Sequence, residues 1–124
     1  MPKYLFAILE DEGFYAPGGG ADFDAVMQAH GEFAASVRAA GAGILSGEAL
    51  QPTATATFLR GTRTDQVTTV DNPMPELKEV LGGYYLVEAA DDAQALELAK
   101  LCPSPAGYIE VRPVWEFGDG SAPS

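Results

Sequence analysis

The chain holds a single cysteine, Cys102, and a single histidine, His30. One cysteine excludes a disulfide within the chain, which suits a reducing cytoplasm. One His and one Cys are too few for the usual zinc ligand sets, so no metal is expected. Basic residues are also scarce. Seven Lys and Arg stand against 18 Asp and Glu, giving a net charge of −11. Nucleic acid and anionic membranes both reward a basic surface, and neither is expected as a partner. Long apolar runs are missing as well. The first, Tyr4 to Leu9, is too short for a secretory leader and far too short to span a bilayer. Phosphate-binding order is absent too. Gly18 to Gly20 precede a helix, but neither GxGxxG spacing nor a Lys-Ser/Thr pair accompanies them, so they read as a connector. No cofactor is expected. No nucleophile elbow surrounds Ser46, and a Ser-His-Asp triad would need Ser36, Ser46 or a tail serine beside His30.

What is present fits one domain over residues 1–117 and a frayed tail at 118–124. The chain has 124 residues, 47% of them hydrophobic, enough for a modest core. Tyr4 to Leu9 is apolar at nearly every position, as in a strand covered on both faces. Asp22 reads as the N-cap of a helix that runs to about Ala40 and stops at Gly41. Along it Phe23, Val26, Met27, His30, Phe33, Ala34 and Val37 recur at steps of three and four, one apolar stripe. Ile44 to Leu50 reads as a strand. Thr53 to Leu59 alternates Thr with Ala or Phe and reads as another, with Gln66 to Val70 as its partner. An Asp71-Asn72-Pro73 turn follows. Gly83 to Ala89 is a further strand. Asp91, with Gln94 three residues on, opens a second helix running to about Cys102. Tyr108 to Phe117 is the last strand.

The order β-α-β-β-(β)-α-β gives an α+β class: a ferredoxin-like βαββαβ plan with an extra hairpin. Two helices cover one face of such a sheet. The first strand and the Tyr84–Val87 segment are apolar on both faces, so the second face also needs cover. A second copy of the sheet supplies it, and a homodimer with sheets packed face to face, a dimeric α+β barrel, is expected.

The run Asp71-Asn72-Pro73-Met74-Pro75-Glu76-Leu77-Lys78-Glu79, followed by Leu81-Gly82-Gly83-Tyr84-Tyr85, resembles the YCII-related family, in particular its DGPF-motif branch. His30, Gly47-Glu48-Ala49-Leu50 and Ile109-Glu110-Val111-Arg112-Pro113-Val114 extend the resemblance over nearly the whole chain. Asn72 stands where the motif has Gly, and Met74 where it has Phe. Asn tolerates left-handed backbone, so the turn can survive the first change. The resemblance implies the same dimeric α+β barrel. It implies little about chemistry: most members have no assigned activity, and a few relatives look like enzymes acting on ring compounds by acid–base elimination, with a His–Asp pair suggested as their site. Genes of the branch often lie beside alternative sigma factors.

Each candidate residue has an ordinary role beside its functional one. His30 is either a core histidine or an acid–base group titrating near neutral pH. Asp71 either caps its own turn or orients His30. Lys78 meets a neighbouring acid or an anionic ligand. Glu110 and Arg112 share a strand face as an ion pair, or Arg112 binds a carboxylate. Glu48 pairs with Arg112 or Lys78, or belongs to the site. Tyr84 and Tyr85 point to opposite faces, so one lines the interior as core or as pocket wall. Cys102 reads as a small buried hydrophobe. The expected function is a YCII-like small-molecule binder or enzyme for a small anionic or aromatic ligand. His30 and Asp71 would perform acid–base elimination or isomerisation, with Arg112, Lys78, Tyr84 and Glu48 at the ligand. The alternative is a non-catalytic regulatory or interaction module tied to an alternative sigma factor response.

Overall fold

The most apolar strand of the sequence lies inside the sheet. The structure is a computed structural model and describes residues 1–72 and 78–117. Its main elements are Lys3–Asp11 (β1), Phe23–Ala39 (α1), Gly43–Ala49 (β2), Phe58–Arg60 (β3), Thr68–Val70 (β4), Glu79–Glu88 (β5), Asp92–Ala99 (α2) and Gly107–Pro113 (β6). Four strands form one sheet in the order β2-β5-β1-β6, and each neighbouring pair is antiparallel. This is the ferredoxin-like order, and the fold is α+β. β3 and β4 form a separate hairpin.

Local chemistry sets the helix ends. The Asp22 carboxylate accepts from the Ala25 amide at 3.1 Å and starts α1. Gly41, at φ +77°, takes the left-handed backbone that ends it. At α2 the cap is reciprocal: Asp91 accepts from the Gln94 amide at 2.9 Å, and the Gln94 side chain accepts from the Ala90 amide at 2.7 Å. The same Gln94 amide group donates to the Ala40 carbonyl at 3.0 Å, pinning the start of α2 to the end of α1. α2 itself stops at Ala99, and the chain turns on through Cys102 to Pro103.

Three expected strands are shortened, Gln66 to Val70 among them, of which Thr68–Val70 is extended. Thr53 to Leu59 is not one strand: Thr53–Thr55 is a 3-10 turn, and only Phe58–Arg60 is extended. Here the threonines satisfy backbone groups in place of a ladder. The Glu12 carboxylate accepts from the Thr53 amide at 2.6 Å and from its hydroxyl at 2.8 Å, and the Thr55 hydroxyl donates to the Pro52 carbonyl at 2.7 Å. The last strand ends at Pro113, whose ring nitrogen has no hydrogen to donate, so Trp115 and Phe117 lie beyond the strand and exposed. Pro73, Met74, Pro75, Glu76 and Leu77 of the turn and motif, and the tail 118–124, lie outside the described residues.

β1 divides the sheet into two faces. Tyr4, Phe6, Ile8 and Glu10 point toward the helices. There Phe6, Phe33, Val37 and Val87 are fully buried, with Leu98 and Cys102 packed around them. Leu5, Ala7 and Leu9 point the other way. Their cross-strand partners on β5 are Leu86, Tyr84 and Leu81, and on β6 Arg112, Glu110 and Tyr108. Among the described residues no helix lies over this second face. No helix among the described residues is long and apolar enough to cross a membrane.

Candidate functional site

α1 is longer than the core needs. Its C-terminal half buries Phe33 and Val37, but Phe23 and Met27 near its start stay mostly exposed. Beneath that N-terminal half the sheet has glycines where side chains would otherwise rise. Gly47 on β2 pairs with Tyr85, and Gly83 on β5 pairs with Ile8, both on the helix side of the sheet. A Cβ on Gly47 would lie 2.5 Å from the Tyr85 ring, and one on Gly83 would lie 2.9 Å from the Glu48 carbonyl oxygen. A cavity of about 450 Å³ lies here between α1, β1, β2, β5 and the 3-10 turn Glu12–Tyr15. That volume is typical of small-molecule sites.

His30 is on the wall of this cavity. Its Nδ1 is 2.7 Å from the Tyr85 hydroxyl, and the two rings lie with centroids 5.8 Å apart. Burial lowers the imidazole's affinity for a proton, and the charge of Glu10 partly opposes that effect. Burial likewise holds the Tyr85 phenol above its usual range, so it stays protonated. The hydrogen bond can form in either sense. Tyr85 donates to a bare Nδ1 and leaves the proton on Nε2, or Nδ1 donates and leaves Nε2 bare. Nε2 has no partner among the described residues.

Glu10 is the second polar group of the wall. It is only 8% exposed and shares the helix side of β1 with Tyr4, Phe6 and Ile8. The Tyr15 hydroxyl donates to its Oε2 at 2.6 Å. Burial, and then this carboxylate, push the Tyr15 phenol upward, so Tyr15 is a neutral donor. Tyr15 is held in place by Phe14, edge-on at 5.1 Å, and Phe23 at 5.8 Å. Glu12 borders the same space and uses its carboxylate to anchor Thr53. A buried carboxylate, a neutral imidazole and two phenols thus meet in one space. Together they can take up, hold and return a proton.

The six residues expected from sequence distribute unevenly. His30, Glu48 and Tyr84 border the cavity. By register, however, Glu48 pairs with Tyr84 and Tyr84 with Ala7, so alternation turns both side chains toward the open face of the sheet. Asp71 is exposed just after β4, and Lys78 is exposed just before β5; neither lines the cavity among the described residues. Arg112 is also on the open face. Its Nε donates to Glu110 Oε2 at 2.6 Å, and Nη2 meets the same oxygen. The structure therefore brings His30 to Tyr85 and near Glu10, and does not bring it to Asp71.

Sequence reasoning missed Glu10, Tyr15 and the part of Tyr85. For Glu10 a signal existed: it continues the even-numbered face of β1 after Tyr4, Phe6 and Ile8, a carboxylate where the pattern calls for an apolar side chain. Tyr15 gave no signal, because a loop residue's partner depends on how the loop folds back.

Fold and site together define a small α+β protein with a helix-roofed cavity above a ferredoxin-like sheet. The YCII-related domain model matches residues 3–118, and the chain belongs to the YCII-related family. An uncharacterised protein of Rhizobium meliloti (strain 1021) is 37% identical over 79 residues. That match covers 60% of this chain and 62% of the relative, so the chain spans less than two thirds of the relative's length.

Proposed function

We propose that this YCII-related protein binds a small organic molecule in the cavity under α1, and that His30 acts on it as an acid–base group. The observation that supports this reading best is the placing of the only histidine. It stands on the wall of a cavity of about 450 Å³, hydrogen-bonded to a phenol and facing a buried carboxylate. A merely structural histidine needs no cavity. In the proposed chemistry the neutral imidazole takes a proton from a substrate carbon. The electron pair of that C–H bond either moves within the substrate, and the proton returns elsewhere, or expels a leaving group. The first outcome is an isomerisation and the second an elimination. In this role Nδ1 donates to the Tyr85 oxygen and Nε2 is the bare nitrogen that takes the proton; Tyr85 holds the ring, the part that the His–Asp resemblance gives to Asp71. Arg112 and Lys78 have no part in this proposal.

Membership of the DGPF-motif branch is proposed on the Asp71–Glu79 run and on Leu81-Gly82-Gly83-Tyr84-Tyr85, whose Gly83 and Tyr85 form part of the cavity. A homodimer joined through the open sheet face is proposed on the leucines that this face presents, and a cytoplasmic location on the single cysteine. The test of the functional reading is the imidazole NMR signal of His30, followed while small ring compounds are added. A ligand-dependent shift supports a working pocket. A signal that no compound moves would leave the cavity without a ligand and favour a non-catalytic regulatory module.

A further inference from the structure

The charge of the cavity wall selects among ligands. The chain has seven Lys and Arg: Lys3, Arg38, Arg60, Arg63, Lys78, Lys100 and Arg112. All are among the described residues, and none lines the cavity. Glu10 on β1 and Glu12 on the adjoining turn are the carboxylates facing it, Glu48 at its border being turned to the open face by register, and the phenols of Tyr15 and Tyr85, the latter on β5, are neutral. Glu12 spends both oxygens on Thr53. Glu10 spends only Oε2, on Tyr15; its Oε1 has no hydrogen-bond partner among the described residues. No buried side-chain oxygen or nitrogen among those residues lacks a partner, so Oε1 keeps access to the cavity. A carboxylate 8% exposed, with one oxygen free and none of the seven cations on the wall, gives an entering cation a partner and repels an anion.

The rest of the wall suits the body of such a ligand. Phe23, Val26 and Met27 descend from α1, and Ile8 rises from β1. Tyr15, Phe23 and Tyr85 bring aromatic rings to the wall, and such rings attract a cation. His30 adds no competing charge, since burial favours its neutral form.

We propose that the cavity takes an organic amine in its protonated form, with the ammonium at Glu10 and a ring or short alkyl body under α1. This rests on the reading of the cavity as a small-molecule site and names the ligand class for it. Of the small anionic or aromatic ligand expected from sequence it keeps the aromatic body and departs from the anion, because the cations that the anion relied on, Lys78 and Arg112, lie away from the wall.

The test uses the full chain at pH 7 and three probes of similar shape: phenethylamine, 2-phenylethanol and 3-phenylpropionate. His30 imidazole shifts report binding of each. The expected result is that phenethylamine acts at about tenfold lower concentration than the alcohol, with the carboxylate weakest. Glu10→Gln should bring the amine and the alcohol to within about twofold. Glu97→Gln, on the exposed side of α2, should leave the preference unchanged. If Glu10→Gln does not fold, Tyr15→Phe serves instead. Removing the hydroxyl that shares the Glu10 charge should leave amine binding equal or tighter. Equal or tighter binding of the alcohol or the carboxylate would overturn the amine proposal and leave the pocket reading standing. If no probe moves His30, both fall together.

Discussion

At the scale of single residues, the decisive group is a histidine whose surroundings pull its proton affinity in two directions. Burial is the larger influence and lowers it below the ordinary 6.5, and Glu10 raises it. The sign for stability follows. As pH falls, the unfolded chain takes up the His30 proton first. His30 thus leaves stability undiminished above about pH 6.5 and reduces it progressively below, until the folded state also protonates. An NMR titration of the single imidazole should give a midpoint below that of a free histidine, and Glu10→Gln should lower it further. A midpoint at or above the free value would contradict the burial argument. Cys102 shows the same physics. Burial, and then the charge of Glu10, push its thiol up to about 12, so it remains an unreactive core side chain at neutral pH.

At the scale of elements, β2 and β5 use glycine at the cavity wall for close approach: the Tyr85 ring fills the space a Gly47 side chain would take, and the Glu48 carbonyl lies against Gly83. Gly47→Ala should force that ring aside, lengthen the His30–Tyr85 contact and cost about 1–3 kcal/mol in urea unfolding. Gly31, on the exposed face of α1 with nothing within 4 Å of an added Cβ, is the control. Gly31→Ala should stabilise by about 1 kcal/mol, since alanine is the better helix former. Equal effects at the two positions would mean that Gly47 is not a spacing residue. Elements also show where pattern is insufficient. The Thr-Ala alternation from Thr53 has the period of a strand, yet Glu12, forty-one positions away, captures the Thr53 amide and hydroxyl. A period-two pattern does not reveal a competing acceptor brought in by the fold.

At the scale of the whole molecule, the unanswered surface is the open face of the sheet. Leu5, Leu9, Leu86 and Tyr84 are half-buried there, Leu81 is 46% exposed, and Glu110 with Arg112 forms a charged margin on β6. A row of leucines flanked by an ion pair has the composition of an interface centre with a polar rim. Light scattering at micromolar concentration should give twice the 13.0 kDa of one chain. Leu86→Lys should shift the protein toward single chains without touching the helix side. A clean monomer for the unaltered protein would remove the dimer.

Sequence alone determined the element order, the helix caps and the two-faced character of β1. These depend on residues near one another along the chain: Asp22 and Ala25, Asp91 and Gln94, the alternation from Tyr4 to Glu10. It also singled out His30, because there is only one. The tertiary structure decided what His30 touches. Tyr85 is fifty-five positions away, and Glu10 twenty; only the pairing of β5 beside β1 beneath α1 brings these groups into one space. Periodicity tells which face a side chain joins. It cannot tell which other side chains reach the same cavity, since that depends on register, on a bulge at Gly82 and on glycines that matter for the side chains they lack.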